Sequence, residues 1–174
     1  MIVVGVALVD QLTKLWATSY LSLGESVEVV GRFFMLTLIH NEGGALGTSF
    51  GSSHYYLVTS LLILLIVLYY IYAHRYYRTI ALCLAFVAGG AVGNDIDRLR
   101  YGYVIDFLDF DIPDIHLFGF RLERWWTYNI ADAAITCAIV FLLLWMLLAR
   151  RAARDSIASE ASPDQGGLST ADRL

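Results

Sequence analysis

Four long apolar runs, Ile2 to Leu21, Tyr55 to Tyr72, Thr79 to Gly93 and Ile130 to Ala149, leave this chain few ways to fold. A helix rises about 1.5 Å per residue, so the longer runs cross a hydrocarbon core of about 30 Å. With only two prolines in 174 residues, little in the chain interrupts a helix. The expected fold is a mainly α membrane protein of four transmembrane helices, over about 2–21, 55–72, 79–95 and 130–149. The third run is short, and is expected to continue through Asn94 and Asp95, carrying polar groups to the membrane surface or into the bundle. Residues 1–151 then form one membrane domain with outer segments at 22–54 and 97–128, and 152–174, small and polar, reads as a disordered cytoplasmic tail.

The flanking residues set the expected orientation. The link from Ala73 to Arg78 contains His74, Arg75 and Arg78, and Arg150, Arg151 and Arg154 follow run four. By the positive-inside rule both lie in the cytoplasm, which puts both termini inside. Tyr55 and Tyr56 at one end of run two, and Tyr69, Tyr70 and Tyr72 at the other, read as interfacial anchors. Val27 to Ile39, rich in β-branched and aromatic residues around Gly31, reads as a short extracytoplasmic sheet or hairpin. The second outer segment mixes acids with Phe107, Phe110, Phe118, Phe120, Trp125 and Trp126, and reads as an amphipathic loop that dips its rings into the headgroups. The net charge of −4 without a basic stripe argues against a nucleic-acid partner and for a lipid or peptide. Cys83 and Cys137, lacking a CxxC spacing or a nearby His, read as small core fillers.

Ionisable groups in or beside membrane spans are costly to desolvate, so each one implies a role. Asp10 and Lys14, four apart in run one, share a helical face and are expected to pair within the bundle. Asn41 to Gly47 joins an amide to small residues that allow close backbone approach. Gly89 to Arg98 joins a small-residue helix face, including Gly90, to the polar groups Asn94, Asp95, Asp97 and Arg98; the two acids are expected to pair with arginines. Asp106 follows eight residues after Arg98, and Asn129 caps run four with Asp132 in its first turn. Two carboxylates, Asp106 and Asp132, suggest acid/base chemistry.

Together these motifs resemble the bacterial lipoprotein signal peptidase family, also called signal peptidase II, from about Asp10 to Ile135. The family's D-x-x-T-K is met by Asp10 to Lys14, N-x-G-x-A by Asn41 to Ala45, G-N-x-x-D-R by Gly93 to Arg98, V-x-D-F by Val104 to Phe107 and N-x-A-D by Asn129 to Asp132. Gly44 and Leu46 stand where the family usually has an alanine and a phenylalanine, and the stretch from Asp106 to Asp132 is long. The resemblance implies an intramembrane aspartyl endopeptidase of the bacterial inner membrane, with Asp106 and Asp132 as the catalytic pair and its site near the outer face. It also implies that Asn41, Gly90, Asn94, Arg98 and Asn129 line the site, with Asp10 and Lys14 in support. The implied substrate is a prolipoprotein bearing a diacylglyceryl cysteine, cut just before that cysteine, among membrane phospholipids. Neither metal nor cofactor is implied, and globomycin is the expected inhibitor.

Competing chemistries fit less well. A zinc protease would need paired ligands such as H-E-x-x-H, whereas His40, His54, His74 and His116 are isolated. Gly47 to Gly51 matches G-x-S-x-G, but that elbow works between a strand and a helix of an α/β sheet, which four spans do not supply. A proton-coupled carrier using Asp10, Lys14 and Asp132 would be expected to show repeat symmetry and broken helices, neither of which is visible.

Overall fold

The computed structural model describes residues 1–43, 51–111, 115–117, 120–122 and 126–160. Its helices are α1 (Ile2–Tyr20), α2 (Ser53–Ala73), α3 (Arg78–Tyr101) and α4 (Ile130–Glu160). All four are long and apolar enough to cross a membrane. Strands β1 (Ser26–Val30), β2 (Phe34–Asn41) and β3 (Val104–Phe110) form one antiparallel sheet in that order. A separate pair, β4 (Ile115–Leu117) and β5 (Phe120–Leu122), follows.

The interior is inverted relative to that of a water-soluble protein. Large apolar side chains such as Leu12, Leu65, Tyr69 and Leu147 are exposed, as lipid-facing residues should be. Among the described residues, the largest fully buried side chains are Lys14, Val104, Asn129, Asp10, Asp97 and Asp106. Helix α3 is the spine, packing on α1, α2 and α4, and small residues let it approach the others. A Cβ added at Gly90 would stand 2.5 Å from the carbonyl oxygen of Ala131 on α4, and one at Gly93 would stand 2.5 Å from Asp10 Oδ2 on α1. Here the glycines bring helices together more closely than any other residue would permit.

The third span is longer than expected. Helix α3 runs past Asp95 to Tyr101 because the next residue able to reverse the chain is Gly102, at φ 79°, whose N–H caps the carbonyl of Arg98 at 3.1 Å. The outer segment therefore opens directly into β3, an element the acid-rich sequence did not announce. Strand β3 pairs with β2 across a bulge between Leu36 and Ile39, with Ile39 opposite Asp106 and Asn41 opposite Val104. Ile105 packs with Leu21 and Leu38 in a small apolar cluster, and Phe107 sets its edge against Trp16.

Two other expectations need correction. Helix α4 continues to Glu160, so the first part of the expected disordered tail, 152–160, is helical; Ala152 to Arg154 contain nothing that breaks a helix. Residues 161–174, and with them the rest of that expectation, lie outside the described residues. Cys83 is buried as expected, but Cys137 is exposed on the lipid side of α4 and fills no core. The expected hairpin at Val27 to Ile39 is present as β1 and β2. Of the rings expected to dip into the headgroups, Phe107 is instead buried against Trp16 because β3 turns it inward, while Phe118, Trp125 and the side chain of Phe120 lie outside what the structure describes.

Gly90→Ala and Gly93→Ala should each lower the unfolding temperature in detergent, by overpacking worth about 1–3 kcal/mol. Gly5→Ala, whose added methyl meets nothing within 4 Å, is the neutral control. Equal midpoints for all three would mean that the helices are not held this closely.

Candidate active site

The site is built outward from the ammonium group of Lys14, only 1 % exposed. Its three N–H groups find three acceptors: Asp10 Oδ2 at 2.9 Å, Asp97 Oδ2 at 2.8 Å and Asn94 Oδ1 at 2.9 Å. A donor-only group with all its protons engaged is the arrangement a buried lysine requires. The Asp10–Lys14 pair on one face of α1 is thus present as the four-residue spacing implied. Asp97 was expected to pair with arginine but pairs with Lys14; helix α3 turns its carboxylate inward to α1, away from the neighbouring Arg98.

Each acid at the hub also ties down a second element. Asp10 Oδ1 accepts the N–H of Ala131 at 2.9 Å, satisfying one of the open donors in the first turn of α4. Asp97 Oδ2 accepts the N–H of Ile105 at 3.1 Å, which fixes β3, and its other oxygen accepts Gln11 Nε2 at 2.8 Å. Gln11, which also donates to the carbonyl of Gly93 at 3.1 Å, was overlooked in the sequence. Its place three residues before Lys14, on the same helical face, was the available signal.

Because Lys14 occupies the oxygen of Asn94, the amide nitrogen of Asn94 faces the other way and donates to Asp132 Oδ1 at 2.8 Å. Asn129 continues the relay: its Nδ2 donates to Asn94 Oδ1 at 3.0 Å and to Asp106 Oδ1 at 2.7 Å. Its own Oδ1 accepts the N–H of Asp132 at 3.0 Å, the cap the sequence implied. On the far side, Asn41 Nδ2 donates to Asp106 Oδ2 at 2.9 Å. Strand register explains that reach, since Asn41 opposes Val104, two residues from Asp106 on the same face of the sheet. Asp106 from the sheet and Asp132 from α4 therefore approach across a bridge of two asparagines.

The electrostatics follow from this geometry. Burial pushes the Asp106 carboxyl up to about 7, and the charge of Asp132 adds to the rise. The amide donors Asn41 and Asn129, and the charge of Lys14, pull against it. The native state holds this proton above the ordinary value of 3.8, so the contribution to stability is complete below that pH and is lost as pH rises through about 7. A carboxyl that titrates near neutrality beside a second carboxyl is equipped to exchange a proton with a bound water.

The remaining expected residues are arranged as follows. Arg98 Nη2 donates to the carbonyl of Gly43 at 3.3 Å, and Nη1 lies 3.9 Å from Asp95, the arginine partner expected for that acid. Gly90, expected to line the site, instead lies in the crossing of α3 and α4, against Ala131 and Ile135. It acts on the site by bringing α4 close to α3. Ala45 and Ser49, from the N-x-G-x-A and G-x-S-x-G patterns, lie outside the described residues. Among the described residues, no three His, Cys, Asp or Glu side chains converge as metal ligands would.

Comparison with known proteins defines the class. The fold matches a solved bacterial membrane enzyme with a TM-score of 0.71 at 28% identity, covering 84% of this chain and 85% of that one. A second bacterial membrane enzyme matches at 0.70 and 29%, covering 84% and 90%. With four candidate spans around a buried polar centre, the chain is a multi-pass bacterial membrane enzyme. Residues 2–148 match the family described as signal peptidase (SPase) II. The lipoprotein signal peptidase of Burkholderia mallei (strain SAVP1) is 40% identical over 153 residues, 86% of this chain and 87% of that protein. That of Halothermothrix orenii is 32% identical over 145 residues, 83% and 92% of the two chains. The chain belongs to the signal peptidase II family, and is a protease.

Asn41→Ala removes a donor that favours ionised Asp106. The descending limb of kcat/KM against pH, a property of the coupled pair, should then move to higher pH. Peptidase rates measured over a pH series spanning neutrality check this, and a limb that stays in place or moves down would contradict the assigned role of Asn41.

Proposed function

We propose that this protein removes the signal peptide from prolipoproteins bearing a diacylglyceryl group, cutting before the lipidated cysteine with a water activated between Asp106 and Asp132. Family membership carries the coarse part, signal-peptide removal from prolipoproteins. The observation that supports the mechanism is the Asn94–Asn129 bridge, which gives each aspartate an amide donor from a single hydrogen-bonded relay.

The pair carries one proton between them, because two neighbouring buried carboxylates resist double ionisation. The ionised partner takes a proton from the water as it attacks the scissile carbonyl. The protonated partner hydrogen-bonds the developing oxyanion and then helps to protonate the leaving amine. Asn41, Asn94 and Asn129 hold the carboxylates in place, Arg98 orients substrate from the Gly43 side, and Asp10 and Lys14 support the bridge from behind.

The same reading sets both termini in the cytoplasm, since Arg75, Arg78, Arg150, Arg151 and Arg154 gather at one end of the helices. The sheet and the dyad then lie toward the outer face, where an exported prolipoprotein presents its modified cysteine. The acyl chains contribute to binding through membrane phospholipid and the protein's apolar surface, at about 0.8 kcal/mol per buried CH₂. Globomycin is expected to compete at this site.

Asp106→Asn and Asp132→Asn should each yield folded protein whose turnover falls by far more than tenfold, a change of about 1.4 kcal/mol in barrier terms. Either variant retaining a tenth of the wild-type rate would remove that aspartate from the mechanism. Efficient cleavage of the diacylglyceryl substrate, with little of the same peptide bearing a free cysteine, is the companion result. Equal rates on the two peptides would point to a general membrane protease.

A further inference from the structure

Among the described residues, the buried polar side-chain atoms left without a hydrogen bond are both carboxylate oxygens of Asp95, Nε of Arg98 and Oγ of Ser53. They gather along one seam. Asp95 and Arg98 are one turn apart on α3, and Ser53 opens α2. The Ser60 hydroxyl, seven residues along the same face of α2, interacts with the Asp95 carboxylate. The helices are consecutive and antiparallel, so Ser53 lies toward the Arg98 end.

Asp95 is only 4 % exposed, and among the described residues its one ionic contact is Arg98 Nη1 at 3.9 Å. A buried carboxylate with few of its acceptor sites filled costs stability, and the Lys14 network makes no use of this one. Helix α2, which forms the other wall, buries none of its residues and leans chiefly on α3. The unpaired atoms are complementary to a specific chemical group: carboxylate oxygens that accept beside a guanidinium Nε that donates. A peptide unit taken out of helix within a membrane presents one N–H and one C=O, and both must find partners.

We propose that Asp95 and Arg98, flanked by Ser53 and Ser60, form a subsite for one unwound main-chain unit of the signal segment beside the scissile bond. The Asp95 carboxylate accepts the peptide N–H, and Arg98 Nε donates to the neighbouring C=O. This subsite rests on the peptidase reading above and adds to it the part of the substrate that is held. It also makes Asp95 a substrate-positioning residue at a position that the G-N-x-x-D-R pattern leaves open.

The test reads binding, which separates this subsite from the cleavage chemistry. A lipidated signal peptide is titrated onto full-length protein silenced by Asp106→Asn, with and without Asp95→Asn. Loss of a hydrogen bond to a charged group predicts a Kd raised by about tenfold or more, with the unfolding midpoint no lower. A set of peptides, each with one backbone N–H replaced by an ester oxygen, then locates the contact. One ester on the signal side should weaken binding to the protein that retains Asp95 and have no further effect in the Asp95→Asn variant. An unchanged Kd, or ester effects that are the same in both proteins at every position, would overturn the proposal. Should Asp95→Asn not purify as folded protein, Asp95→Ser carries the same comparison.

Discussion

One buried ammonium group organises this enzyme. A lysine inside a membrane bundle is tolerable only when its charge is matched and its protons are all accepted, and Lys14 meets that condition with Asp10, Asp97 and Asn94. Those three acceptors then fix other parts of the chain: Asp10 the start of α4, Asp97 the start of β3, and Asn94 the amide relay. The two elements that carry the aspartates are thereby located from a common point on α1. A donor-only group at the origin also gives the relay its direction. With its oxygen held by Lys14, Asn94 offers N–H to Asp132, and Asn129, bonded to that same oxygen, offers N–H to Asp106.

Lipid outside and polarity inside make this arrangement stable. The apolar side chains that would form the core of a soluble protein face the membrane here, and helix association relies on close approach and internal hydrogen bonds. Gly90 and Gly93 serve the first requirement and the Lys14 network the second, on the same helix and within about one turn of each other. Packing and site chemistry are therefore hard to separate in α3. The sheet adds what helices alone would not: β2 and β3 bring Asn41 within reach of Asp106 through register, although the two are 65 residues apart in the chain.

Much of this was legible in the sequence. Hydropathy located the four spans, the four-residue spacing of Asp10 and Lys14 gave their pairing, and Asn129 before Asp132 read as a cap. What the sequence concealed depended on tertiary placement. Asp97 beside Arg98 looks like a surface pair because chain neighbours suggest partners, yet successive helical residues point in different directions, and Asp97 faces α1. Strand β3 was hidden because Val104 to Phe110 carries two acids, which suggest a loop, until the partners of Asp106 and Asp109 are known; Asp109 accepts Thr37 Oγ1 at 2.6 Å. Gly90 signalled close approach correctly, but which neighbour it would meet was not encoded locally.

The cap that Asp10 supplies to α4 bears on the order in which this protein is made. Of the four spans, α1 leaves the ribosome first and α4 last, and the N–H of Ala131 on α4 closes onto Asp10 of α1. Asp132 lies in that same closing turn. Any nascent chain that has yet to insert α4 contains Asp106 without its partner, so no such partly synthesised protein carries the aspartate pair. Assembly of the pair thus coincides with the joining of α1 to α4, and the two aspartates face each other only once all four spans are in place.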